Sequence, residues 1–512
     1  MPSTEKVLPE VGTLKGAHKN PAVLSLARNE YEAVQLILRS DTTALQQVTV
    51  EPSELKQIGG EGLIPREAIT WSPVGFVQTK EPGYSVSHVG WWPDPLPKPA
   101  PFDVKLGWPQ PIWLTVYAAP GTPAGEYAGL VTIRPANAQA QPVQVKVTVW
   151  DFDLPLMPSL KTAFDVYVNR IQSAYSQFFP EWWNRWSDKP EALARTFYDD
   201  LVRHRLAPIL NADVSDAKVM TLLTQLRAQG LSAFGLGFHS GSFDNNWPTD
   251  RSQLESLAPV YRGYAATLRT AGLMERHYIY AYDEPKPGSR QVADVARMIH
   301  IADPALKNLV VLEDVESVDP LREWFGDIDI VCLRNVTFDP VQAQQLKQLG
   351  KEIWLYVSGP SAPYPTLVID YPAMAYRVLP WMCWKYGLNG LLYWSVNYWT
   401  TNPYQDPMNT KWQQNGNGSL YYPGPDGPVP SIRLEVLRDG MEDYEYLHRL
   451  AEVVARAKVN GSKPPALIQQ AETLLAVNPG LVESMRTYSK DPAVLERNRT
   501  AIAEMIEKLQ KL

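Results

Sequence analysis

The sequence predicts a multi-domain chain in which an N-terminal antiparallel β-sandwich precedes a (β/α)8 TIM barrel and a short C-terminal helical extension. Three observations carry this reading. Apolar and polar residues alternate between Pro and Gly turns from about residue 7 to 150; strand-like runs then alternate with helical ones after Leu154-Pro155-Leu156-Met157-Pro158; and residues 460–512 are amphipathic at helical spacing. With 512 residues the chain exceeds one ordinary core, and it divides on these signals into 1–155, 156–459 and 460–512.

In the first part, segments such as 30–40, 46–55, 112–119, 125–135 and 141–152 have the short, evenly spaced alternation of a sandwich. They hold no catalytic grouping and imply a buttress for the next domain. The Trp- and Pro-rich stretch 87–110 reads instead as a long irregular loop, a candidate wall for a site.

In the second part the strand candidates are 162–168, 205–210, 233–238, 277–284, 308–313, 328–333, 352–358 and 390–397. Helical segments at 191–204, 251–272, 290–302, 340–350 and 371–387 lie between them, as an eight-stranded parallel barrel requires. After them come a Gly-, Asn- and Pro-rich loop at 400–431 and a strongly periodic helix at 432–459. The charges Arg433, Glu435, Arg438, Asp439, Glu442 and Asp443 read as pairs that fix the rim loop against the barrel, with a kink at Gly440; those of the last helices read as a solvated face.

Composition narrows the function. A net charge of −7 without a basic run argues against nucleic acid. No apolar window is long enough to span a bilayer, so membrane insertion is not expected. Two cysteines, Cys332 and Cys383, sit in apolar segments and read as buried thiols. With 7 His and no HxH or HExxH spacing, neither a metal site nor any other cofactor is expected. The N-terminus lacks a basic region followed by an apolar one, which leaves open a secreted or periplasmic protein whose signal was removed and a cytoplasmic one. The 17 Trp and 25 Tyr suit stacking on sugar rings, but for any single Trp the packing role comes first, and the clusters point to sugar only where they fall near the carboxylates.

The chemistry centres on HYIYAYDEPKP, residues 277–287. Five β-favouring residues deliver Asp283 and Glu284 to the C-terminal end of the fourth strand, and Pro285 stops the strand while biasing Glu284 toward extended geometry. Glycosidic hydrolysis needs an acid for the leaving oxygen and an anionic or nucleophilic group at the anomeric carbon. Adjacent strand residues face opposite ways, so the two acids do not flank a bond symmetrically. One arrangement suits them: Glu284 donates the proton while Asp283 holds a substrate 2-acetamido group whose carbonyl attacks the anomeric carbon. The like charge of Asp283 is then expected to push Glu284 upward and place the optimum in mildly acid solution. The plain alternative for the triplet is a capped turn. Other strand ends offer substrate contacts: Asp165 and Asn169 after strand one, His239 in the polar GFHSGSFDNN after strand three, Asn335 after strand six, Tyr356 on strand seven, and Trp394 and Tyr398 on strand eight, with Tyr282 beside the acids. Glu313 or Glu352 would be the nucleophile of a conventional double displacement, and a glycan-binding barrel without catalysis is a third reading.

YAYDEP (280–285), YYPGPDGPVPSIRLEVLRDGMEDYEYL (421–447) and the order sandwich then barrel resemble glycoside hydrolase family 123 and its relatives, formerly grouped as a bacterial domain of unknown function. The resemblance covers most of residues 1–450. It implies an exo-acting, retaining β-N-acetylgalactosaminidase that uses neighbouring-group participation, with Asp283 as stabiliser and Glu284 as acid. The substrate would be a glycan ending in a β-linked N-acetylhexosamine.

Overall fold

The computed structural model describes residues 1–10, 21–237, 246–285, 289–313, 326–409, 411–461 and 463–511. Two sheets come first. Ala22–Arg28, Gln141–Asp153, Gly125–Arg134, Leu45–Pro52 and Phe102–Val104 form the larger in that spatial order, extended by Leu55–Gln57 and Leu63–Ile64. Glu30–Leu38, Gln110–Ala118 and Ile69–Pro73 form the smaller. Alternation sends Leu24, Leu26, Val145 and Val147 from one sheet, and Val34, Leu36, Ile112 and Leu114 from the other, into a shared core. The pairing departs from the antiparallel expectation at one edge, where Ala22–Arg28 runs parallel to Gln141–Asp153. Asn29, at φ 59°, turns the chain directly into the opposite sheet, so the next strand is not available as a hairpin partner.

The second part is a ring of eight parallel strands: Lys161–Asp165, Pro208–Ile209, Phe234–Gly235, His277–Asp283, Asn308–Leu312, Ile330–Arg334, Glu352–Val357 and Gly390–Tyr393. Strands two and three are only two residues long, and the ring closes between them through Ala212 and Leu236. Ala212 donates its amide to the Gly235 carbonyl and accepts from the Gly237 amide, each at 2.9 Å. Inside the ring the Tyr278 and Trp354 rings meet edge-on at 5.3 Å. Gly390 is required there, because a Cβ would lie 2.3 Å from the Trp354 indole. One expected helix is broken: 251–272 divides into Arg251–Glu255 and Ala258–Ala271, with Pro259 in the first turn of the second.

The helix Ile432–Asn460 is buried on nearly every side through Asp443, charges included. Its partners come from the whole chain. Arg377, on the helix Met374–Tyr386, donates to both Asp443 oxygens at 2.8 and 3.0 Å and reaches Glu32 of the smaller sheet at 3.2 and 3.3 Å. Arg499, on the C-terminal helix Pro492–Lys511, is buried as well; it pairs with Glu30 and lies 3.0 Å from Asp443, so the expected solvated face does not hold there. Arg433 donates to Asp94 at 2.8 Å and to the Leu367 and Gly416 carbonyls, both at 2.8 Å. That bond to Gly416 ties the 400–431 loop down, as the charge pattern suggested. Gly440 does not kink this helix. It admits the neighbouring backbone, since a Cβ would sit 2.6 Å from the Arg377 carbonyl oxygen.

Asp94 also explains the 87–110 stretch, which is more regular than expected. Trp91–Pro93 pairs with Phe76–Gln78, and Phe102–Val104 pairs with Leu45–Pro52. Asp94 receives the Tyr422 hydroxyl at 2.7 Å, and the Leu96 amide donates to the Pro430 carbonyl at 2.9 Å. Its contacts thus brace the 421–430 hairpin of the rim loop.

Protons are held within this interface. Burial alone would lower the His204 imidazole, but the Asp200 and Glu435 carboxylates beside it raise it to about 9. Burial raises Glu30 to about 8, against the opposing charge of Arg499. Both folded-state values exceed the unfolded ones, 6.5 for His and 4.5 for Glu, so the native chain binds more protons through these windows. The contribution of these two groups to stability therefore falls as pH rises from about 5 to 9, while His277, which burial lowers to about 4, and Lys6, which burial lowers to about 7, contribute in the opposite sense. Scanning fluorimetry of His204→Gln isolates the His204 share: its Tm deficit against wild type should be largest below pH 6.5 and shrink toward pH 9, and a deficit that grows through that range would contradict the assignment.

Candidate active site

The fourth barrel strand, His277–Asp283, carries a one-residue irregularity. Tyr280 pairs with Leu309 and Tyr282 with Val310, so Ala281 is an extra residue in the ladder, a β-bulge. In a regular strand residues 280 and 283 face opposite sides. The bulge brings them together, and the Tyr280 hydroxyl donates to Asp283 Oδ1 at 2.7 Å. Tyr282 turns outward, its hydroxyl donating to Gln291 of the helix Arg290–Ala302 at 2.9 Å.

Glu284 departs from expectation. The following proline disfavours helical geometry and should leave it extended, yet its φ is +41°, in the left-handed region. Its amide donates to the Val311 carbonyl at 3.1 Å, which holds the turn. A non-glycine residue there carries strain of about 1–2 kcal/mol, a feature typical of functional positions.

Asp283 is 7% exposed and Glu284 is half-buried. Burial chiefly pushes Asp283 up to about 7, helped by Glu284, Glu313 and Asp165 and opposed by the Tyr280 hydrogen bond. Burial and then Glu313 raise Glu284, while Arg334 opposes. The expected upward push of Asp283 on Glu284 is thus not the main cause; the stronger effect falls on Asp283. Tyr356 faces the pair: burial and the charges of Asp283 and Glu284 keep its hydroxyl protonated far above the ordinary range.

The other residues singled out from the sequence separate into groups. Asp165 is buried at the end of strand one, close enough for its charge to bear on Asp283. Asn335 donates its amide to the Pro365 carbonyl at 2.7 Å, while its buried Oδ1 has no partner among the described residues. Trp394 and Tyr398 stand 5.0 Å apart at the end of strand eight, and Trp412 packs 5.0 Å from Trp394. Arg170 donates to the Tyr398 hydroxyl at 2.8 Å. Asn169 is exposed on the first turn of the helix Val168–Phe178, its oxygen accepting from the Arg170 amide. His239 lies outside the described residues. Glu352 opens strand seven, at the end of the barrel opposite Tyr356, and pairs with Lys161 and Lys307, so it is removed from the acids.

Three contributors escaped sequence reasoning. Tyr280 looked like a strand residue of either face, because nothing in Ala281 marks the bulge. Arg334 ends strand six and pairs with Glu313 at 2.8 Å; its position after an apolar run was the available signal. Trp412 lies in a stretch without periodicity. Among the described residues no group of three or more His, Cys, Asp or Glu is arranged to hold a metal ion, and no helix is long and apolar enough to cross a membrane.

A closed parallel barrel with two carboxyl groups at the C-terminal end of strand four, on the rim that also bears the aromatic residues of strand eight, has the layout of a barrel glycoside hydrolase. Residues 246–450 match the family description "Glycoside hydrolase 123, catalytic domain". None of the curated protein sequences matches it significantly. A family 123 glycoside hydrolase from Clostridium perfringens, whose structure was described for glycolipid glycan hydrolysis, is similar with a TM-score of 0.74 at 14% identity, over 100% of this chain and 97% of that one. At that identity the likeness speaks for the fold. A family 39 glycoside hydrolase from Bacteroides cellulosilyticus aligns over 83% of this chain and 82% of its own at 11% identity, with a TM-score of 0.37, too low to carry an argument.

Strain at Glu284 has a direct test. Glu284→Gly relieves the left-handed penalty while adding unfolded-state entropy, so Tm should stay level or rise, by no more than about 1 kcal/mol in stability, while glycosidase activity is lost. A clear drop in Tm would show that the side chain stabilises the turn.

Proposed function

We propose that this chain is an exo-acting, retaining β-N-acetylhexosaminidase, favouring β-linked N-acetylgalactosamine, that works through the substrate's own 2-acetamido group. The observation that carries the reading is the bulge-directed placement of Asp283, held by Tyr280 directly beside Glu284. In the first step the acetamido carbonyl oxygen bonds to the anomeric carbon, the glycosidic C–O bond breaks, and Glu284 gives its proton to the leaving oxygen. Asp283 accepts the amide N–H and stabilises the positive charge that develops on the oxazolinium ring. In the second step the Glu284 carboxylate takes a proton from water, whose oxygen attacks the anomeric carbon as the bond from that carbon to the acetamido oxygen breaks, which regenerates the acetamide and restores the original configuration. Trp394 and Tyr398 supply an apolar wall to the sugar, and Tyr356 and Asn335 supply polar contacts. Residues 1–155 and 460–512 serve as supports for the barrel of 156–459.

The two carboxyls titrate as a pair, and the productive state holds one proton. An amide N–H donated to Asp283 favours its charged form and draws the proton toward Glu284. A bell-shaped kcat/KM profile follows, its basic limb near pH 7, where Asp283 titrates. A flat profile from pH 5 to 8 would contradict the pair.

Aryl β-glycosides of N-acetylgalactosamine should be hydrolysed while the matching 2-hydroxy glycosides are not, and a thiazoline mimic of the bicyclic intermediate should inhibit. Glu284→Gln should lose about 10²–10⁴-fold in rate. Undiminished hydrolysis of the 2-hydroxy glycosides would remove the mechanism. A double displacement has one observation in its favour, the presence of Glu313 near the pair; labelling of that carboxylate by a 2-fluoro sugar would establish it.

A further inference from the structure

The rim holds two further charged groups. Glu313 directly follows the strand Asn308–Leu312, whose Val311 carbonyl receives the Glu284 amide. Arg334 is the last residue of the next strand, Ile330–Arg334, in register with Tyr356. Arg334 Nη1 donates to Glu313 Oε1 at 2.8 Å, and the Thr337 hydroxyl donates to the Glu313 carbonyl at 2.6 Å. Residues 284, 313, 334 and 356 therefore close four consecutive strands on one side of the mouth. The pair is unevenly satisfied. Arg334 Nε is buried and has no hydrogen-bond partner among the described residues. A buried guanidinium N–H without an acceptor is costly, and the acceptor it suits is a carboxylate.

We infer that Arg334 and Glu313 are positioning residues that govern the acid–base cycle, Glu313 holding Arg334 off Glu284 while Glu284 is protonated, and Arg334 receiving the Glu284 carboxylate once its proton has left. The inference rests on the reading of Glu284 as the acid. No covalent bond to Arg334 forms or breaks. When the glycosidic oxygen takes the Glu284 proton, the new carboxylate accepts a hydrogen bond from Arg334 Nε–H; when water returns a proton to Glu284, that bond is released and the pair with Glu313 prevails.

The surrounding charges agree with this division of labour. Glu313 acts on both acids in the same direction, upward, whereas Arg334 acts on Glu284 downward. Asp165 bears on Asp283 from strand one, and the Tyr356 hydroxyl faces both from strand seven without being ionised. A single anion without its arginine would hold Glu284 protonated too firmly to act as the base of the second step. A single arginine without its anion would ionise it too early to act as the acid of the first. Opposed charges on adjacent strands allow one carboxyl to play both parts.

The test is the pH dependence of kcat/KM for the full chain on an aryl N-acetyl-β-galactosaminide, compared among wild type, Glu313→Gln, Arg334→Gln, Arg334→Lys and Glu284→Gln. In Glu313→Gln both limbs should move to lower pH by about 0.5–1 unit, which lowers kcat/KM about threefold to tenfold on the basic side. In Arg334→Gln the limb that reports Glu284 should move to higher pH, with kcat falling more than KM changes, and Arg334→Lys should return the limb toward wild type. The two variants shift the profile in opposite directions, so either one decides if the other folds poorly. Lower rates with unmoved limbs would overturn the proposal and leave a purely structural pair. If Glu284→Gln keeps wild-type activity, it is the acid assignment that fails; if that variant is inactive while the limbs of the others stay fixed, only the present inference falls.

Discussion

One extra residue, Ala281, determines what this barrel can do. Without the bulge, Tyr280 and Asp283 would project to opposite faces of the fourth strand, and Asp283 would follow Tyr282's alternation rather than meet the Tyr280 hydroxyl. With it, two successive carboxyl groups stand in different surroundings at the barrel mouth: one buried and fixed by a tyrosine, the other half-buried on a strained turn. Unequal environments for adjacent acids are what separate a stabilising role from a proton-donating one. The left-handed backbone at Glu284 belongs to the same device, because an extended residue there would project its side chain to the strand face opposite Asp283.

The buried ionic interface serves this geometry from a distance. Arg377, Arg433 and Arg499 each join parts of the chain far apart in sequence, and all three are about 1% exposed. Removing one member of such a pair typically costs about 3–5 kcal/mol, because the other charge is left buried and alone. Arg433 joins the sheet-flanking Asp94 to the carbonyl of Gly416. The same rim loop places Asn417 against Trp394, whose indole N–H donates to it at 3.3 Å. Asp94 and the helix Ile432–Asn460 thus help to hold the rim loop against Trp394.

Much of the fold was legible because it is periodic. All eight barrel strands coincide with runs read from alternation and apolar content, six lying wholly within them and two reaching one residue beyond, at Lys161 and Arg334; Gly, Pro and charge marked the rim loop and the helix after it. What escaped was aperiodic. A bulge at an alanine has no signature, and the left-handed turn at Glu284 runs against the local bias of Pro285. Gly440 looked like a kink since close backbone approach and bending leave the same residue. The pairing of Arg499 with Glu30 spans 469 positions, and charge patterning detects only neighbours on one helix. At the site, the two acids stood out through their place after a β-favouring run, whereas Tyr280 and Arg334 gain their meaning only from register.

The central claim is that Asp283 is aimed at the amide nitrogen of a bound sugar. Its most direct test is a crystal structure with a thiazoline analogue of the bicyclic intermediate, whose ring nitrogen stands where the acetamido nitrogen would lie. The expected result is that nitrogen within about 2.6–3.2 Å of an Asp283 carboxylate oxygen, with Tyr280 still on the other oxygen and Glu284 on the side of the leaving group. An analogue bound with its nitrogen turned away from Asp283, or seated against Glu313 instead, would contradict it.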